Sequence, residues 1–329
     1  MEAWLLAALA APAAFFTVFF MTPPLIGWLR RRDLSVRDVN KPGRVMVARP
    51  GGISIMAGIL AAEAVLYAAF QSVEVLAITA TTAGAFAAGL LDDRRVMSGW
   101  FKPLALAAAS APIIVLGAYD PHLSFPLFGS VHIPILYLAV AALMIPITGN
   151  TINSIDVLNG VSSGFMVIAG AALTISLVII GNYEMAAVSM PLPLVALAFY
   201  RYHKNPSRIF PGDSGALALG AMYGAIALAG GVEIIAAVAL LPAVINSFLF
   251  LSSMRRIVEH RQIKARPVET TDDFHLRATR EKGAPVTLVR LILARGPMKE
   301  AEVARSIFLL AAFSGILAVI TAAMTAAWP

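Results

Sequence analysis

Ten long apolar segments divide this chain, each near the roughly 20 residues that a helix needs to cross a hydrocarbon core. They run approximately Ala3–Leu29, Gly51–Phe70, Val75–Leu91, Phe101–Gly117, Ile133–Ile147, Val161–Ile180, Met185–Tyr200, Ala216–Gly230, Glu233–Met254 and Ile307–Trp328. The segments lack period-2 alternation and are rich in Ala, Leu and Gly, so helices are expected rather than barrel strands. With 59% hydrophobic and 13% charged residues over 329 positions, the chain is too apolar for a soluble domain. The expected fold is all-α: a polytopic membrane protein of about ten transmembrane helices, one domain over residues 1–329 with a cytoplasmic loop at 255–305 inside it.

The basic residues orient that bundle. Of 25 Lys and Arg, seven fall at 30–49, three at 94–102, three at 201–208 and twelve at 255–305. The other connections carry none, so the positive-inside rule puts these four loops in the cytoplasm and both termini outside, in the cell (plasma) membrane. The net charge of +6 therefore marks a membrane face rather than a nucleic-acid surface, with anionic lipid or a phosphorylated substrate as its partner. With no cysteine, thiol nucleophiles and zinc-thiolate sites are excluded.

Against that background the acids stand out. Asp92, Asp93, Asp156 and Asp213 each lie at the end of an apolar segment on the same expected side, where an ionised group is expensive to keep. Asp92 and Asp93 close the third segment and Lys102 opens the fourth; adjacent carboxylates can divide labour between a cation and a proton, and a lysine suits phosphate oxygens. A solvated helix end is the plain alternative. The fifth connection places Asn150, Asn153, Asp156 and Asn159 three residues apart. On an α-helix that spacing drifts by about 60° per step, so a 3₁₀ turn or a broken helix end is expected, lining a cavity with the hard oxygen donors that Mg²⁺ or Mn²⁺ prefers. Asp213 sits between glycines in Phe210-Pro211-Gly212-Asp213-Ser214-Gly215, where backbone can approach a ligand beside a helix start. Alone, it would read as an ordinary N-cap.

Taken together these residues resemble the polyprenyl-phosphate N-acetylhexosamine 1-phosphate transferases. The loop Asp38-Val39-Asn40-Lys41 and the tract Arg49-Pro50-Gly51-Gly52 are similar to that family's first cytoplasmic loop, and the stretch Leu293–Glu300 to its archaeal and eukaryotic, dolichol-linked branch. Asp156 matches the bacterial pattern and Asn159 the eukaryotic one, while the bacterial His-rich run in the last loop is missing. The resemblance implies transfer of N-acetylglucosamine 1-phosphate from UDP-GlcNAc to a polyprenyl (dolichyl) phosphate, with UMP released. Another UDP-N-acetylhexosamine or undecaprenyl phosphate is the nearest alternative; a cation-coupled transporter, with Glu63 in its favour, is the alternative of another class. The resemblance further implies Mg²⁺, or Mn²⁺, on Asp213 and Asn153, with Asp92, Asp93 and Asp156 as the catalytic acids. Asp92 would activate the lipid phosphate and Asp93 organise metal or diphosphate, roles that could exchange. Substrate would be held by Lys41, Lys102, Asn150 and Asn159, with Asn159 at the uridine, and the sugar by His260 and Arg261 or by His275 and Arg277. The partners implied are the two substrates and the bilayer, with a homodimer allowed.

Overall fold

The computed structural model describes residues 1–41, 43–95, 97–254 and 265–327. Its helices are α1 (Glu2–Ala7), α2 (Ala10–Arg31), α3 (Gly52–Phe70), α4 (Val73–Arg94), α5 (Phe101–Ala109), α6 (Ala111–Val115), α7 (Pro134–Ile155), α8 (Val161–Ile179), α9 (Tyr183–Ser189), α10 (Pro191–His203), α11 (Gly212–Gly230), α12 (Glu233–Ala239), α13 (Leu241–Met254), α14 (Leu288–Ile292) and α15 (Glu300–Ala327). Seven of these helical segments, the runs Glu2–Arg31 and Tyr183–His203 counting as one each, are long and apolar enough to cross a membrane. The bent pair α12–α13, with 74° between its halves, would make eight. The chain is a multi-pass membrane protein.

By length and composition the described residues identify seven or eight of the expected spans, and two of the ten expected segments fall outside that set. The fourth segment breaks at Ser110 before Ala111-Pro112, leaving α5 and α6, which together span only Phe101–Val115. The eighth, α11, carries Asp213 and several glycines, and every residue from Gly212 to Leu228 is buried in protein. A helix buried on all sides belongs in the middle of a bundle. α11 packs most extensively on α4 and α7, with α3 beside it, while α2, α3, α10, α8 and α15 follow one another around the rest.

Small residues permit that central position. A Cβ on Gly220 would lie 2.5 Å from the Thr148 carbonyl oxygen of α7, and one on Gly89 of α4 would lie 2.5 Å from the Ser214 Cα. Close approach of backbones is how helices associate where lipid gives no hydrophobic drive.

Short hairpins decorate the helical frame: β1 (Ser35–Arg37) with β2 (Met46–Ala48), β3 (His122–Phe125) with β4 (Gly129–His132), and β5 (Val268–Thr270) with β6 (Leu276–Ala278). The first bears on the site. Its second strand continues into backbone pairing with the α10–α11 connection: Phe210 N–H donates to Ala48 O at 3.0 Å, Gly51 N–H to Phe210 O at 2.7 Å and Gly52 N–H to Pro211 O at 2.8 Å. Arg49 is thereby carried to the start of α11.

Candidate active site

Successive residues on an α-helix point about 100° apart, so Asp92 and Asp93 at the end of α4 leave in different directions. Asp93 meets the N-terminus of α11. Its Oδ1 accepts the Asp213 N–H at 2.9 Å, and its Oδ2 accepts the Ser214 N–H at 3.0 Å and the Ser214 hydroxyl at 2.7 Å. A carboxylate from another helix thus takes the capping place, satisfying N–H groups that α11 cannot pair internally. Gly212 makes room: its φ is +71°, and a Cβ there would lie 2.6 Å from Asp93 Oδ2. Asp92 turns instead toward the following loop, accepting the Met97 N–H at 3.0 Å and lying 3.2 Å from Lys102 Nζ.

Two cations join the three acids into a chain. Arg49 donates from Nε and Nη2 to Asp93 Oδ1 at 3.1 and 2.8 Å, and from Nη2 to Asp213 Oδ2 at 2.7 Å. Lys102 Nζ donates to Asp213 Oδ1 at 2.9 Å. The order is Asp93, Arg49, Asp213, Lys102, Asp92, with both oxygens of Asp213 gripped from opposite sides. Burial works against the Arg49 charge, but Asp93 and Asp213 outweigh it and hold its pKa above the ordinary guanidinium value.

A polar cavity of about 300 Å³ opens beside it, lined by Asp213, Arg49, Lys102, Asn153 and the run Asp156–Asn159, with Arg37–Asn40, His203, Phe210 and Gly212 completing the wall. α7 ends at Asp156, whose backbone leaves the helical region at φ −78°, ψ 59°, and Gly160 at φ +84° starts the turn into α8. The broken helix end expected from sequence is present, and up to Ile155 the helix is α rather than 3₁₀. Asp156 accepts the Ser162 hydroxyl at 2.5 Å; burial pushes its carboxyl up to about 7, against Ser162 and the more distant Arg49. Asp213, Asn153 and Asp156 all line this one cavity, and carboxylate and amide oxygens are the donor types that suit a hard divalent cation. Among the described residues no three Asp, Glu, His or Cys converge as a metal cluster, so such an ion would rely on the Asn153 amide.

A second space of about 460 Å³ lies on the other side of Lys102 and Asn153, which line both. Its remaining walls come mainly from α7 and α13 and are mostly apolar, including Pro103, Pro146, Ile147, Val244, Phe248 and Leu251. The 60° drift along α7 is visible here. Asn150, with its amide donating to Pro146 O at 2.8 Å, faces this groove, Asn153 faces both spaces, and Asp156 faces the polar one.

The other sequence candidates are placed differently. Asn159 lines the polar cavity, and its amide donates to Asp38 Oδ2 at 2.9 Å. Lys41 pairs directly with Glu300 and does not line that cavity. His275 and Arg277 lie on the β5–β6 hairpin against Asp273 and Glu269, both at 3.0 Å, and are not brought to either space. His260 and Arg261 lie outside the described residues. Sequence reasoning did not single out Arg49, Glu300 or His203 as site residues. Arg49 had a usable signal, because three buried carboxylates need cations and it stands in the Pro-Gly-Gly tract; the other two had none.

The profile of glycosyl transferase family 4 matches residues 75–231, which contain the acids, the broken end of α7 and α11. A phospho-N-acetylmuramoyl-pentapeptide-transferase of Chlamydia trachomatis is 30% identical over 246 residues, 65% of this chain and 72% of that protein. This chain belongs to glycosyl transferase family 4. It is 27% identical over 313 residues, 93% of its length and 94% of the other, to a Saccharolobus solfataricus protein bearing the name UDP-N-acetylglucosamine–dolichyl-phosphate N-acetylglucosaminephosphotransferase. The corresponding muramoyl-pentapeptide enzyme of Phenylobacterium zucineum is 29% identical over 273 residues, 70% of this chain and 74% of that one.

Proposed function

We propose that this protein transfers N-acetylglucosamine 1-phosphate from UDP-GlcNAc to a polyprenyl phosphate of the dolichyl type, forming a lipid-diphosphate-linked sugar and UMP. Family membership and the names of the relatives support a sugar-1-phosphate transferase. The observation that carries the reading is the sharing of Lys102 and Asn153 between a polar cavity and an apolar groove. A reaction joining a water-soluble nucleotide to a membrane lipid needs those two environments to meet at the reacting phosphates.

In that step an oxygen of the lipid phosphate bonds to the sugar-bearing phosphorus, and the bond from that phosphorus to the bridging oxygen breaks and leaves with UMP. The reaction is largely one of positioning and of stabilising charge. Lys102 stands where both phosphates converge and supplies a point charge to their oxygens. Asp92, 3.2 Å from that ammonium, takes any proton remaining on the acceptor phosphate and orients it. Asp93 is spent on the N-terminus of α11 and on Arg49, so it acts by aiming Asp213. A Mg²⁺ ion would be held by Asp213 and Asn153 with Asp156 nearby, and when bound it neutralises diphosphate charge. The prenyl chain lies along the groove between α7 and α13, with the basic loops and the reaction facing the cytoplasm, both termini outside and the protein in the plasma membrane.

Radiolabel from UDP-GlcNAc appearing in an organic-extractable lipid, with matching UMP release, is the expected result in purified, lipid-reconstituted protein. Label carried across the membrane with no lipid product would overturn the transferase in favour of a transporter.

A further inference from the structure

Glu300, the first residue of α15, is 6% exposed and lines neither the cavity nor the groove, yet it receives hydrogen bonds from three separate loops. Its Oε1 accepts the Asn159 backbone N–H at 2.8 Å, its Oε2 accepts the Asn205 amide at 2.9 Å, and Lys41 Nζ pairs with Oε2. Each donor belongs to a loop that forms the rim of the polar cavity. Lys41 follows Arg37–Asn40, Asn159 ends the stretch from Asp156, and Asn205 lies in the connection that carries Phe210 and Gly212. Asp38 adds a cross-link, accepting the Asn159 side-chain amide at 2.9 Å and the Asn40 N–H at 3.1 Å. A buried ion pair seldom improves stability over well-packed apolar residues, and its attested use is to impose one arrangement. Removing this carboxylate would leave a buried backbone N–H, an amide and an ammonium without their acceptor.

We propose that Glu300 is a positioning residue that clamps the three rim loops in the geometry that binds the sugar nucleotide. It acts through Asn159, Lys41 and Asn205 and touches no substrate. The inference rests on reading the polar cavity as the UDP-GlcNAc site. It separates the two substrates, because the apolar groove is walled by α7, α13 and the start of α5 and includes none of the three loops.

Glu300→Gln keeps the shape but removes the charge and turns an NH₂ group toward the donors Lys41 and Asn205. The KM for UDP-GlcNAc should rise by about tenfold or more, with kcat lowered by less than about threefold and the KM for polyprenyl phosphate unchanged. Glu300→Asp should recover part of the donor affinity. Independently of any substrate, deuterium exchange over residues 35–41 and 156–160 should rise together in Glu300→Ala, with exchange in α11 unaltered. An unchanged donor KM, or equal losses for both substrates with a fall in thermal midpoint, would overturn the positioning role. Unchanged exchange in the two loops would overturn the clamp even if the wild-type protein released no UMP, a result that would count separately against the transferase reading.

Discussion

The polar cavity and the apolar groove meet at Lys102 and Asn153 but are held open by different physics. The cavity is walled by charges that satisfy one another: Arg49 between Asp93 and Asp213, Lys102 between Asp213 and Asp92. The groove is walled mostly by side chains that ask for no partner, among them Ile147, Phe248 and Leu251. Ion pairs fix geometry because each removal leaves a buried charge uncompensated, whereas apolar walls tolerate change and give affinity in proportion to area. Substitutions in the cavity should therefore destroy turnover, and substitutions in the groove should only tune the affinity for lipid.

The largest effect is expected at Asp213. Its two oxygens hold Arg49 and Lys102, and it is the charged donor proposed for the metal. Asp213→Asn keeps the shape, so the protein should remain folded while turnover falls by at least about a hundredfold, the scale for losing a preorganised electrostatic partner. Retention of more than about a tenth of activity, which is about 1.4 kcal/mol of barrier, would show that the ion-pair chain is architecture alone.

Asp92 and Asp93 come next, and here the structure sharpens what the sequence left open. Adjacent acids with exchangeable roles turn out to have separate surroundings: one faces Lys102 and a loop N–H, the other caps α11. Asp92→Asn should bind UDP-GlcNAc normally and turn over about a hundredfold more slowly. Asp93→Asn should instead lower the thermal midpoint, at a cost of about 1–2 kcal/mol from the weakened cap, and lose nucleotide affinity as Asp213 drifts. Matching profiles for the two variants would abolish the distinction.

The acids were legible because carboxylates at the ends of apolar runs are costly and hence conspicuous, and the broken end of α7 because its polar spacing does not suit an α-helix. Partners across the bundle were not. Glu300 lies 141 residues from Asn159 and 259 from Lys41, and no local pattern announces either contact. The packing of α11 was hidden for a related reason: hydropathy does not show that this helix is enclosed by protein along its length. Hydropathy reports what a segment tolerates, and packing decides what it touches.

The basic residues after α13 test where the cavity ends, Arg277 lining neither space and Arg261 lying outside the described residues. Arg277 makes an exposed pair with Glu269 on the β5–β6 hairpin, so Arg277→Ala should change UDP-GlcNAc affinity by less than about twofold. Arg261, from the other pair of sugar contacts that the sequence offers, should cost about 2 kcal/mol or more when replaced by Ala, the scale for a charged hydrogen-bonding partner. Titrating both variants with UDP-GlcNAc and with UMP distinguishes them. Equal small losses for both ligands, or a larger loss at Arg277, would move the sugar site.

Among the residues proposed to touch substrate, the smallest effect should come from the groove, and it is the one that most directly opposes the cavity. Phe248 on α13 lines the groove and is 67% exposed, so little of its ring is committed to the protein's own core. Phe248→Ala should leave folding nearly untouched. An isoprenoid chain packed along the groove would lose the area it shares with that ring, about 40 Å² at roughly 25 cal/mol per Å², or about 1 kcal/mol. The KM for polyprenyl phosphate should then rise by about fivefold, with kcat and the KM for UDP-GlcNAc within about twofold of wild type. Shortening the prenyl chain until it no longer reaches Phe248 should erase the difference between variant and wild type. A donor KM that rises alongside the lipid KM would mean that the two spaces are one site, with Lys102 and Asn153 at its centre rather than at its boundary.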